Sequence, residues 1–327
     1  MRRRLGFALL TLGFFVVTLA PMLRFYAAPK LTKAPLNEQT KTTYVARGSS
    51  YIDLFSGAQA FDAALVQTVT INGDVRSGGG KTAVWNSFTA LEDSGTGEAL
   101  QVNSWRMAFD RKSGLLKNCC GAVIVNRDVR DTTTKQQGLG AIWPVADVSK
   151  KTYQQFDPTT KLAWPATYAG TERISGISTY KFVQRIQPTR IATLPAAPLQ
   201  GLSGVSKYPA DVMYSAVIST WVDPRTGMPV DQRRQITSTV RGADGSAGPT
   251  VLSTDLRVND TSRAALVRSS DDKAGQLTAI KVTWPLVTLI GGLILLAAGA
   301  VLNLRGSGAH ASDRGQEIMP HAAESTP

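Results

Sequence analysis

The chain has 327 residues and a formal net charge of +12 at pH 7, with only two cysteines and two histidines. Both histidines, His310 and His321, lie near the C-terminus. Catalytic triads and zinc sites that depend on histidine are therefore excluded from the rest of the chain. We expect neither a metal nor a cofactor, although a hydrolase or transferase that works without histidine stays open as the weakest alternative.

The first predicted element is an apolar helix at 5–23. These 19 residues carry no charge, and as a helix they reach roughly 28 Å, close to the thickness of a bilayer core of about 30 Å. The basic residues at 2–4 also fit a signal peptide. However, the apolar stretch is longer than such signals usually have, and Ala20-Pro21 is a poor cleavage context. The pattern favours an uncleaved transmembrane helix.

Between this helix and residue 281 the sequence shows the two-residue period of β-strands. Tyr180, Phe182 and Ile186 share one face of a predicted strand. Strands joined by short turns predict an antiparallel meander, so we expect a mainly β domain at 24–281, with a curved sheet or an open barrel-like form. The other β-rich runs are 63–71, 82–90, 101–109, 123–129, 212–222 and 232–240.

Two segments have the same turn pattern, with an aspartate first and a glycine last. Asp110 and Gly114 bound one of them, and Asp223 and Gly227 bound the other. In such a turn the aspartate accepts hydrogen bonds from nearby backbone N–H groups, while glycine adopts a positive φ angle. Both segments are therefore predicted to be β-hairpin tips.

The two cysteines, Cys119 and Cys120, are adjacent. Neighbouring Cα atoms lie about 3.8 Å apart, below the usual disulfide range of about 4.4 to 6.8 Å, so a bond between them needs a tight turn. Because the chain offers no third cysteine, we favour this vicinal disulfide in an oxidising compartment. An intermolecular disulfide and two free thiols are the alternatives.

The strand pattern stops at 187–211, where proline and glycine recur. Connections of this length are typical of functional covers or of solvated loops. We interpret the segment as a candidate lid over an apolar ligand, with Tyr180, Phe182 and Ile186 as the ligand-binding residues. The alternatives are a plain solvated loop and ordinary core positions for the three side chains.

A helix predicted at 261–277 leads into a second uncharged stretch at 282–304, which reaches roughly 34 Å as a helix. The polar tail at 305–327 is predicted to be disordered. We place this tail and residues 1–4 in the cytoplasm, and residues 24–281 outside it. In this topology Tyr26 and Trp284 lie at the same membrane interface, where aromatic residues are enriched.

Small residues mark one face of each predicted span. Gly6 and Gly13 are seven residues apart, as are Gly292 and Gly299. Such spacing favours close packing of helices, although glycine is common in membrane helices in any case.

The basic start, the first span, the segment Leu23–Leu31, the step Cys119-Cys120-Gly121 and the closing span together resemble the DUF3068 family of actinobacterial envelope proteins, also labelled the porin PorA family. The resemblance covers nearly the whole chain and implies an envelope location, without catalytic residues. The turn at 222–227 and the residues 176–182 are similar to LolA- and LppX-like lipid carriers, which are curved antiparallel sheets.

We therefore expect a non-enzymatic, membrane-anchored envelope protein whose domain binds a lipid or another amphiphile, or an envelope partner. The alternative is a subunit of an oligomeric channel, because two apolar helices line a water-filled pore only if several copies assemble. The end segments hold five of the 36 basic and three of the 24 acidic residues, which leaves +10 on the part between. Partners are thus expected among membrane lipids and anionic envelope lipids or polymers, with a homo-oligomer as an option and no nucleic acid.

Overall fold

The computed structural model describes residues 2–54, 59–127, 129–195 and 209–307. The chain forms two compact units. Among the described residues, one is a helical unit, 2–31 and 276–307, and the other is a β unit, Thr32–Gly275.

The helical unit contains two long apolar helices. Helix α1, Arg2–Pro21, is followed by a π-helical turn, Met22–Ala27, and by the short helix α2, Ala28–Leu31. Helix α3, Asp260–Thr278, lies mostly in the β unit and is followed by a π-helical turn, Ala279–Thr283, and by α4, Trp284–Ser307. Each run has a stretch long and apolar enough to cross a membrane, and only 17% of that stretch is buried. The exposed apolar surface fits a lipid environment better than the core of a soluble protein.

Thirteen strands form one antiparallel sheet among the described residues of the β unit. They are β1 (Gln39–Ile52), β2 (Gln59–Gly73), β3 (Thr82–Asp93), β4 (Ala99–Asp110), β5 (Leu116–Lys117), β6 (Val123–Asn126), β7 (Val129–Asp131), β8 (Tyr153–Asp157), β9 (Leu162–Ile174), β10 (Ile177–Leu194), β11 (Ala210–Asp223), β12 (Met228–Arg241) and β13 (Ala247–Val258). Their order in the sheet is β7-β6-β4-β3-β2-β1-β13-β12-β11-β10-β9-β8, with β5 also paired to β4. The predicted mainly β, antiparallel fold with an apolar helix near each end is confirmed.

The sheet curls so far that its two ends approach each other. Trp105 on β4 and Phe156 on β8 are nine strand positions apart in the sheet order, which in a flat sheet is about 40 Å. Their ring centroids are 5.7 Å apart. The buried face of the sheet is therefore the inner face of a curled half-barrel.

The connection between β7 and β8 joins the two ends of the sheet. Leu139 forms one bridge to Leu115 beside β5 and another to Gln155 on β8. At the same end, Lys161 lies 2.6 Å from the carboxylate of Asp131, which is the last residue of β7. Backbone bonds and this ion pair thus complete the ring that the strands leave open.

Two sequence predictions about strands need correction. The predicted loop at 187–211 is strand at both ends, because β10 and β11 stay paired as far as Leu194 and Ala210. The register shifts between Ile186 and Thr189, and this irregularity accommodates Pro188, which has no N–H to donate. Residues 196–208 of that loop lie outside the described residues. The run predicted at 123–129 is two strands, since β6 pairs with β7 as a hairpin.

Other strands, including β1 and β13, were missed because their alternation is interrupted. In β1 the buried positions are Thr42, Tyr44 and Ala46 before Gly48, and Ser49 and Tyr51 after it. The positive φ of Gly48, +67°, allows a bulge that moves the buried side chains from even to odd positions. No continuous two-residue period is left for a sequence reading to detect.

The helix predicted at 261–277 lies within α3. Residues 305–307 of the predicted tail are helical, and the rest of the tail, 308–327, lies outside the described residues.

Candidate functional site

The four glycines of the spans meet in pairs. A Cβ atom on Gly13 would lie 3.0 Å from the carbonyl oxygen of Gly292, and one on Gly299 would lie 2.9 Å from the carbonyl oxygen of Gly6. Helices α1 and α4 are therefore packed backbone to backbone along this face. Residues that were singled out by their spacing alone are thus brought together, and α4 has a groove that α1 fills.

The predicted interface aromatics are both exposed, with 57% of Tyr26 and 59% of Trp284 accessible. The Lys30 ammonium lies 3.6 Å from the centroid of the Tyr26 ring. Arg24 donates a hydrogen bond of 2.9 Å to the backbone carbonyl of Lys281, so the two helical runs are joined just before Tyr26 and Trp284. This arrangement is consistent with a helical hairpin that has exposed aromatic side chains at one end. The position of Tyr26 and Trp284 at a membrane interface stays a prediction.

The predicted ligand-binding residues lie in packed surroundings. The Phe182 ring stacks on Trp143, with centroids 4.1 Å apart, and meets Tyr153 edge-on at 5.7 Å. Phe182, Trp143 and Tyr153 belong to one buried cluster, and Tyr180 is half-buried at the edge of this cluster. Ile186 is buried in a neighbouring cluster. Phe182 and Ile186 therefore have core partners within the chain already, and their role toward a ligand stays a prediction.

The Trp143 side chain has an unusual environment. Its indole N–H is buried and has no hydrogen-bond acceptor among the described residues. A shallow groove of about 510 Å³ lies along β9 and β10, where Thr167, Tyr168, Val183 and Arg185 line it. Val183 and Arg185 alternate with Phe182 and Ile186 along β10, whereas the Tyr168 ring also contacts the rings of Tyr180 and Phe182.

The two predicted hairpin turns have the expected local bonds. Asp110 accepts backbone N–H bonds from Lys112 and Ser113, and Gly114 has a φ angle of +74°. Asp223 accepts the N–H of Arg225 at 2.9 Å, and Gly227 has a φ angle of +78°.

The Asp223 turn also makes tertiary contacts that its sequence does not indicate. The Asp223 carboxylate is completely buried, pairs with the Arg225 guanidinium at 2.8 Å and accepts a hydrogen bond from Ser270 of α3. Thr226 and Ser270 share a further hydrogen bond of 2.7 Å. A hairpin tip thus serves as the docking point for a helix.

Helix α3 covers part of the inner core chiefly through polar contacts. Ser262 accepts the backbone N–H of Thr43 at 3.0 Å, and Lys273 pairs with Glu38 at 3.0 Å. The apolar side chain that it packs against the core cluster of the sheet is Leu266. A cover held in this way buries little apolar surface compared with an ordinary core helix.

A polar cluster on the inner face was missed by sequence reasoning. The Arg234 guanidinium donates to Gln232 Oε1 at 2.7 Å, to Gln67 Oε1 at 3.0 Å and to Tyr44 Oη at 3.3 Å, and it lies 4.5 Å from the centre of the Tyr44 ring. Gln232 in turn donates to Thr220 at 2.9 Å. The detectable signal was that Arg234 falls on the same side of the 232–240 alternation as Ile236.

Two further titratable groups lie close to this cluster. Burial raises the pKa of Asp157, although hydrogen bonds from Thr160 and the charge of Arg234 lower it. Burial and the charge of Asp157 raise the pKa of Tyr214. The inner face therefore carries a cation and a carboxyl group within electrostatic reach of each other.

Cys119 and Cys120 are joined by a disulfide, which is the vicinal alternative. Both residues are exposed. Arg106 donates to the Cys120 carbonyl at 3.1 Å and to Asp74 at 2.8 Å, and this guanidinium holds the pKa of Asp74 well below its usual range. The disulfide thus borders an ordered polar surface network.

Comparison with known proteins gives one family. A family model described as Porin PorA matches residues 5–301, nearly the whole chain. No curated protein matches the sequence.

Proposed function

Because this chain belongs to the porin PorA family, we propose that it is a membrane-anchored protein of the cell envelope whose β unit binds an amphiphile. The observation that carries the proposal is the polar attachment of α3. A ligand for the inner face needs a cover that can leave, and hydrogen bonds between neutral groups, such as the one between Thr226 and Ser270, exchange with water at little net cost.

The helical unit supports anchoring by both spans. If the first span were removed as a signal peptide, the close approach of Gly13 to Gly292 would be lost and a groove on α4 would face lipid unfilled. We therefore assign both spans to the mature protein, with both termini cytoplasmic and the β unit outside. No catalytic role is proposed.

Photo-crosslinking tests this function. The full-length protein, purified in detergent, is loaded with a phospholipid that carries a diazirine in its acyl chain, irradiated and digested. Crosslinked peptides from β10 to β13 and from α3 are the expected result. Crosslinks confined to residues 2–31 and 276–307 would show only lipid around the spans and would contradict the proposal.

A channel subunit is the second candidate, favoured by the description of the family. The outward faces of α1 and α4 carry large apolar residues such as Phe14, Ile290 and Ile294, so a pore between copies would lack polar lining from these faces. Single-channel recordings in planar bilayers decide between the two. Stepwise conductance from the purified protein would favour the channel.

A further inference from the structure

Arg234 is a cation on the inner face of the sheet, with apolar side chains opposite it on both neighbouring strands. Its partners across the strands are Ile218 on β11 and Leu256 on β13, and Ile236 follows on the same face of β12. Leu256 is completely buried and Ile236 is 8% exposed, whereas Arg234 keeps intermediate exposure. Arg234 is therefore partly accessible although its surroundings are packed.

The positive charge of Arg234 is not neutralised by a direct ion pair. Among the described residues no carboxylate lies within 4.0 Å of it, and all of its hydrogen-bond acceptors are neutral oxygens, from Tyr44, Gln67 and Gln232. An arginine has five N–H donors, and three of those on Arg234 are used. Because a partly buried charge without an ion pair is incompletely compensated, an anion would be a favourable further partner for Arg234.

The three partners hold the guanidinium in place. Gln67 is 4% exposed and Tyr44 is 6% exposed, so both are fixed by the core around them. The nearby carboxyl of Asp157 accepts the backbone N–H and the hydroxyl of Thr160. These bonds direct Asp157 to its own turn, and burial favours its neutral form.

We propose that Arg234 binds the anionic headgroup, a phosphate or a carboxylate, of the amphiphile held by the β unit. This assignment rests on the proposed function and adds its chemical class. Guanidinium groups bind phosphate and carboxylate through paired N–H donors, and the apolar residues beside Arg234 would contact the first methylene groups of the chain.

The test compares two lipids of equal chain length, phosphatidylglycerol and phosphatidylcholine, by native mass spectrometry of the full-length protein. Wild type should retain phosphatidylglycerol preferentially. Arg234→Gln should lower that retention by about tenfold or more and remove the preference, because a charge-assisted hydrogen bond is lost. The matched control is Arg233→Gln, since the neighbouring Arg233 pairs with Asp255 on the outer face at 2.6 Å and should not change the preference.

Arg234→Lys keeps the positive charge. If Arg234→Gln does not fold, Arg234→Lys tests whether the charge at position 234 selects the anionic lipid. It should still prefer phosphatidylglycerol, with weaker retention than wild type. A wild type that retains both lipids equally, a folded Arg234→Gln variant that keeps the wild-type preference, or an Arg234→Lys variant that shows no preference would overturn the headgroup assignment and leave amphiphile binding intact. Retention of neither lipid in the β unit would instead overturn the proposed function.

Inorganic phosphate separates a lipid headgroup from a free anion. Excess phosphate alone should not displace phosphatidylglycerol from wild type, because the acyl chains contribute most of the binding. Displacement at millimolar phosphate would assign the Arg234 site to a soluble anion and overturn the lipid assignment.

Discussion

Asp223, at the tip of the β11–β12 hairpin, accepts a hydrogen bond of 2.9 Å from the hydroxyl of Ser270 on α3. Both residues are completely buried. The same carboxylate pairs with Arg225, which also reaches Asp271 one residue further along the helix at 3.1 Å. This turn therefore supplies a buried part of the attachment of α3, beside the contacts of Ser262 with Thr43 and of Lys273 with Glu38.

Ser270→Ala should weaken that attachment. The Asp223 carboxylate loses one donor in a buried position, which typically costs about 1 to 3 kcal/mol, and for a domain of this size each kcal/mol lowers the melting temperature by roughly 2 to 4 °C. Thermal unfolding of the detergent-solubilised protein measures the change. Ser269→Ala is the matched control, because Ser269 is only half-buried. Equal melting temperatures for the two variants would show that the bond is not a determinant of stability.

Gly292→Ala should separate the two spans. Its Cβ would lie 2.8 Å from the backbone nitrogen of Val17, whereas a Cβ on Gly291 meets nothing within 4 Å. Nitroxide labels at the exposed positions Leu12 and Leu293, with both native cysteines replaced by serine, report the distance between α1 and α4. We expect a longer or broader distance distribution for Gly292→Ala and no change for Gly291→Ala. An unchanged distribution in both would mean that the glycine contact does not control helix packing.

Asp131→Asn should reduce stability in a pH-dependent manner. The hydrogen bond from Lys161, followed by those from Thr134, holds the pKa of Asp131 well below its usual value. The folded-state pKa is depressed, so the stabilisation is complete above the unfolded-state value of about 3.9 and disappears as the pH falls through the folded-state pKa. The difference in melting temperature between wild type and variant should be largest near pH 7 and shrink below about pH 4.

Asp62→Asn is the control for this experiment. Asp62 is exposed and has a positive φ angle, which asparagine tolerates. The melting temperature of Asp62→Asn should depend on pH in the same way as that of wild type. A constant difference between wild type and Asp131→Asn across this pH range would contradict an ionised, paired Asp131.

Phe182→Ala separates a core role from a ligand-binding role. Phe182 is 1% exposed and stacks on Trp143, so its truncation should cost about 3 to 5 kcal/mol. Val183→Ala, on the opposite face of β10, should cost much less. A large fall in melting temperature for Phe182→Ala alone would assign Phe182 to the core. Loss of bound lipid with an unchanged melting temperature would assign it to a cavity.

The topology predicts which cysteine variants a membrane-impermeant maleimide reaches in intact cells. In a background without Cys119 and Cys120, Ser178→Cys should be labelled, because Ser178 is exposed on the β unit. Ser312→Cys, beyond the second span, should be labelled only after the membrane is opened. The reverse pattern would place the β unit in the cytoplasm.

The sequence by itself determined the features that are set by residues close to one another along the chain. Uncharged stretches at 5–23 and 282–304 were enough to identify two candidate spans, because spanning depends on length and on the absence of charge. The Asp223 and Asp110 turns were identified for the same reason, since an aspartate bonds to backbone groups only two or three residues away.

Only the tertiary structure decided where the strands meet and what the inner face carries. Trp105 and Phe156 come together because the sheet curls, and Arg234 contacts Gln67, 167 positions away in sequence, through the register of four strands. Bulges such as the one at Gly48 change which side chains point inward without altering composition. Contacts between distant residues depend on register and curvature, and neither is contained in a local pattern.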